Sequence, residues 1–147
     1  MVATWNAALS EHAQTDVVNL WDNGFGFARQ QLIKNGEFFP FGQAIGADGT
    51  HIAVAPDPSI VGEQPLAQDL IDWHWTTFTN DRDEFRAVGI FFDITIDGGD
   101  AVVGSVEHVE GPAISFVLPY TRDPKTGGID FLDGAVREEP RRVWSES

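Results

Sequence analysis

The chain has 147 residues, of which 42% are apolar, 12% aromatic and 22% charged, the balance of one ordinary globular domain and not of a disordered chain. With 23 acidic residues against 9 Lys and Arg, the net charge is −14, which argues against a sequence-independent grip on nucleic-acid phosphates or on anionic membranes. The lack of cysteine excludes disulfides, thiolate nucleophiles and thiolate metal sites.

The N-terminus, MVATWNAALSEHAQTD, has neither the basic start nor the continuous apolar run of a signal peptide. The longest apolar runs, such as Val88 to Phe92, fall far short of the roughly 20 residues of a membrane-spanning helix. A cytoplasmic protein is expected.

Leu9, Ala13, Val17, Trp21, Phe25, Ala28 and Leu32 recur every three or four residues, the stripe of an amphipathic helix. Asp22-Asn23-Gly24 is a weak helix former within it. The expectation is one kinked helix, or a short helix followed by a longer one from about Asp16, with Thr15-Asp16 as N-cap and Asn35-Gly36 as the stop. Phe41 to Ile45 and Thr50 to Ala55 read as a hairpin around Gly46-Ala47-Asp48-Gly49, with Pro40 marking the strand start. Pro56, Pro58, Gly62 and Pro65 make a loop. A second helix is predicted over about Pro65 to Asn80, with Leu66, Leu70, Trp73 and Thr77 on one stripe and Ala67, Ile71, His74 and Phe78 beside it.

The second half reads as a meander. Strands are expected over Ala87 to Ile96, Ala101 to Val109, Ala113 to Tyr120 and, briefly, Ile129 to Leu132. Turns fall at Asp97 to Asp100, Glu110 to Pro112 and Pro124 to Gly128. In the first strand, Val88, Ile90, Phe92, Ile94 and Ile96 share one face. Hairpins join antiparallel strands. The expected fold is therefore α+β and two-layered, a single antiparallel sheet of about five strands with the helices packed on one face. Residues 1–147 form one domain, with 1–15 and 134–147 at its periphery.

Gly36-Glu37-Phe38-Phe39-Pro40-Phe41-Gly42, then Asp48-Gly49, Glu107-His108 and Pro119-Tyr120, form a pattern over roughly residues 28 to 120. It resembles a small set of uncharacterised bacterial proteins, and that resemblance implies no activity. The element order is similar to roadblock and profilin-like folds, which are mainly interaction modules, although no helix is expected after the last strands.

Glu107 and His108 are neighbours on a strand, so their side chains leave opposite faces and do not form one acid–base pair. Val102, Gly104, Val106 and His108 take the core face, which makes His108 a half-buried, hydrogen-bonded histidine. Glu107 is expected to be solvated or paired with Arg122 or Arg86. Glu37 is a carboxylate among phenylalanines, where a raised pKa is one reading and an outward-pointing side chain the simpler one. Trp73, His74 and Trp75 give the strongest interface signal, because tryptophan is enriched at binding hot spots. Tyr120 completes the candidates.

His12, His51, His74 and His108 have no metal-binding spacing, and the acidic cluster Asp81, Asp83 and Glu84 lacks the calcium-loop pattern. No nucleophile-elbow serine and no phosphate-cradling glycine motif occurs. No cofactor and no metal is expected. The favoured function is a non-enzymatic acidic interaction module, immunity-like or a regulatory subunit, meeting a basic protein partner or a second copy of itself. The same acidity would also serve solubility or a salt-adapted host. The alternative is a small enzyme or ligand-binding protein, with a pocket between the second helix and the sheet lined by His74, His108, Glu37 and Tyr120.

Overall fold

The computed structural model describes residues 9–56, 66–96, 98–111 and 113–144. Its first element, α1, is one continuous helix over Glu11–Asn35. The Ser10 hydroxyl caps it by accepting the Ala13 amide, and Gly36, at φ 79°, closes it in the left-handed conformation. All seven residues of the predicted stripe are buried.

Two sequence expectations change here. Thr15-Asp16 is not the cap, since Asp16 lies inside the helix and is itself buried. Nor does Gly24 break the helix, because it faces the sheet where a side chain would not fit. A Cβ there would overlap the ring of Phe91. The glycine is a packing device, and the buried stripe on either side outweighs its poor helix propensity.

The hairpin β1 (Phe41–Gly46) and β2 (His51–Val54) follows as expected. The loop expected at Pro58, Gly62 and Pro65 lies outside the described residues. Helix α2 spans Ala67–Asn80 and buries Leu70, His74 and Phe78. Then come β3 (Phe85–Ile96), β4 (Gly99–His108), β5 (Ala113–Arg122), β6 (Ile129–Phe131) and β7 (Ala135–Glu139). They form one antiparallel sheet in the order β2-β1-β3-β4-β5-β6, with β7 paired to the other half of the same edge of β5.

The α+β class is as expected, with seven strands rather than about five. The extra strand, β7, lies in the polar stretch 134–147 expected at the periphery. The placement of the helices differs from expectation. Val17, Leu20, Trp21, Phe25 and Leu32 of α1 pack with Ala87, Phe91, Val102 and Val106. Phe78 of α2 packs with Ala44, Val88, Ile90 and Val143. Alternate residues of β3 therefore face different helices, and α1 and α2 cover opposite faces of the sheet. The run Ala87 to Phe91 is apolar at every position, the pattern of a central strand covered on both sides.

Candidate functional site

The buried polar side chains fall into separate groups. His108 sits at the end of β4 on the α1 face. Its Nε2 lies 2.9 Å from Asp16 Oδ2, and its Nδ1 accepts the Glu110 amide at 3.1 Å. A backbone N–H can only donate, so Nδ1 carries the lone pair and Nε2–H donates to Asp16. Arg86 donates to the other Asp16 oxygen at 3.0 Å. An Asp–His pair of this kind can activate a nucleophile only if the outer nitrogen is open. Here that nitrogen is capped by backbone and the ring is buried. The group locks α1 to the sheet.

Glu107 departs from its expectation. It is neither solvated nor paired with Arg122 or Arg86. Its side chain is 0% exposed on the α2 face. Its carboxylate accepts the amides of Arg142 at 2.8 Å, Val143 at 3.1 Å and Trp144 at 2.8 Å. Three successive N–H groups converge on one anion and pin the segment after β7 onto the sheet.

His74 is fully buried in α2. Nδ1 lies 2.7 Å from Leu70 O and Nε2 lies 3.2 Å from Val54 O. The ring tethers α2 to the end of β2 and fills the space that the absent Cβ of Gly42 leaves. Trp73 packs edge-on against it. Trp75 turns toward the sheet, with the Arg142 guanidinium 5.2 Å above its ring.

Tyr120 lies on the α1 face, where its hydroxyl donates to Asp93 at 2.9 Å. Burial, together with the acceptor bond to Asp93, pushes the phenol pKa well above its usual range. Burial also raises the Asp93 carboxyl, with Asp100 adding repulsion and the Tyr120 bond working against both. Tyr120 pairs with Asp100 at one end of β4, and His108 stands at the other. At the strand rise of about 3.3 Å per residue they are roughly 26 Å apart. His74 is on the opposite face and Glu37 is at a corner. The four polar groups expected to share a pocket do not converge.

Two of the surface hollows bear on function. At the corner of α1 and β1, Phe27, Phe38, Phe39 and Phe41 form a cup of about 360 Å³, rimmed by Gln31, Asn35 and Glu37. Phe41 stacks on Phe91 of the core and holds Phe27 and Phe38 at its edges. Phe39 is 62% exposed and Phe27 44%. Glu37 is exposed and points outward, as expected. The second feature is a cleft of about 350 Å³ between α2 and the sheet. A pocket was expected there, but of the candidates only Trp75 lines it. Among the described residues no three His, Asp or Glu side chains are grouped to hold a metal ion. No described helix is long and apolar enough to cross a membrane.

Sequence reasoning missed Asp16, although a signal was present. It falls three residues after Ala13 and four before Leu20, inside the apolar stripe. A carboxylate on a buried helix face needs a partner on the surface it meets. Phe27 was missed because it lies off that stripe.

No family model matches the chain, and no curated protein and no solved structure matches it.

Proposed function

We propose that the chain is a non-enzymatic interaction module that grips a basic protein partner through the aromatic cup at the α1–β1 corner. The observation that carries this reading is the cup itself: phenylalanines held half-open to water, with Glu37 the only charged residue in the lining, on a chain of net charge −14. Exposed aromatics with a polar rim are the anatomy of a protein-binding hot spot. The net negative charge of the chain as a whole favours encounter with a basic partner over an acidic one. An enzymatic reading lacks support. His74, Glu107, His108 and Tyr120 are each occupied by a bond that joins two parts of the fold. An immunity protein or a regulatory subunit working in the cytoplasm would have this character.

Affinity capture of the tagged protein from its native extract tests the reading. A saturable basic partner retained at low salt and released at high salt is the expected result, because surface charge attraction is screened within about 10 Å at 0.1 M salt. Retention of nothing beyond what an equally acidic control protein holds would overturn it.

A further inference from the structure

The sheet face beneath α2 is covered unevenly. Helix α2 packs on β1 and β3, which leaves the part of β4, β5 and β7 on that face open to the cleft. The register arranges its floor in rows. Phe92, Val103 and Val117 lie side by side across β3, β4 and β5, an apolar row. The next row holds Ser105, Ser115 and Arg137 across β4, β5 and β7. Ile71 and Trp75 of α2 form the opposite wall.

The two serine oxygens are 2.7 Å apart. Each hydroxyl carries one hydrogen, and the bond between them uses only one. Among the described residues neither serine has another side-chain partner, so one O–H remains to be donated, with Ser115 buried. The Arg137 side chain stands beside it in register. The cleft also contains Arg142, stacked on Trp75, and two carboxylates. Asp72, on the α2 wall, accepts from Gln68 at 2.9 Å. Glu139 lies one row beyond Arg137, beside Ala113. The position flanked by a spare hydroxyl hydrogen and a guanidinium suits an anion, and the row next to it suits hydrocarbon.

From this we infer that the cleft binds a small monocarboxylate with an apolar tail. The carboxylate sits against the Ser105–Ser115 pair and Arg137, and the tail lies along Phe92, Val103 and Val117 beneath Trp75. This site is separate from the aromatic cup and does not depend on it.

Titration calorimetry with decanoate, and with decanol as the uncharged counterpart, tests it. The expected result is saturable binding of one decanoate, with decanol at least about tenfold weaker, the factor that losing one charge-assisted bond implies. Arg137 is exposed, so R137Q will fold, and it should reduce decanoate affinity to that of decanol. V117W, checked by its melting transition, should block both ligands, and F39S should leave both unchanged. Absence of saturable decanoate binding to the wild type would overturn the inference. So would equal affinity in R137Q, or weakening by F39S in place of R137Q.

Discussion

Replacing Glu107 by Gln changes one oxygen to an amide nitrogen and leaves the shape of the side chain intact. No cavity forms, so any loss of stability reports on the carboxylate's bonds and on its ion pair with Arg141, 3.8 Å away. In the native protein the carboxylate accepts three backbone amides at 2.8 to 3.1 Å in a fully buried setting. Glutamine keeps one acceptor oxygen and turns an NH2 group toward donors. At least one amide is left facing another donor, and the rest lose the charge that strengthened their bonds. A bond to a charged acceptor contributes about 1.5–3 kcal/mol, and an orphaned buried donor costs about 1–3 kcal/mol. The desolvation of the carboxylate, now avoided, offsets part of this. The net expectation is about 2–4 kcal/mol of destabilisation in urea unfolding, or roughly 5–15 °C in Tm for a chain of this size. Hydrogen exchange supplies the local readout. The amides of Arg142, Val143 and Trp144 should exchange slowly in the wild type and fast in E107Q, while the amides of α1 keep their relative order. A change below about 0.5 kcal/mol, or unprotected amides at 142–144 in the wild type, would refute a pinning role for Glu107.

Other substitutions probe the same frame. D16N removes the charge held between Arg86 and His108 and should cost about 3–5 kcal/mol, the range for breaking a buried pair, as read from chemical denaturation. Tyr120 is the sole tyrosine, so ultraviolet absorbance follows its ionisation alone. Its folded pKa is raised, so its contribution to stability is complete below the unfolded value of about 10 and is lost as the pH climbs above it. Y120F should therefore flatten the alkaline limb of the stability profile, and D93N should let Tyr120 ionise at lower pH. On α1, G26A meets nothing within 4 Å and should stabilise by about 0.5–1 kcal/mol, whereas G24A collides with Phe91 and should destabilise by about 1–3 kcal/mol. Thermal melts of the two variants should move in opposite directions.

Much of the fold is legible along the chain. The helical stripe from Leu9 to Leu32 and the hairpin glycines Gly46 and Gly49 place their elements within a residue or two. What escapes is information carried between elements. Val88, Ile90 and Phe92 mark one apolar face of β3, but only the position of α1 shows that Ala87 and Phe91 are buried on the other. β7 is illegible because Ala135 to Glu139 alternates weakly and is charged, and it pairs not with the strand before it, β6, but with β5. Glu107 and Asp16 look like surface acids by type. Their burial follows from partners that come from distant segments, 35 residues away for the Arg142 amide and 92 for His108. The cup was half legible. The phenylalanines beside Glu37 were visible, but their exposure depends on Phe27, which α1 brings in from a full turn before Gln31.

The most direct measurement compares the captured partner's affinity for the wild type and for the F27S/F39S double variant, with both melting transitions recorded. Phe39 stands mostly in water, and Phe27 is somewhat under half exposed and packed on Phe41, so the melting temperature should fall by no more than about 10 °C. Loss of the partner by about a hundredfold or more in a protein that still melts within that range is the expected result, as two aromatic anchors at about 2 kcal/mol each imply at least that factor. Undiminished affinity in the folded double variant would contradict the placement of the binding surface at the α1–β1 corner.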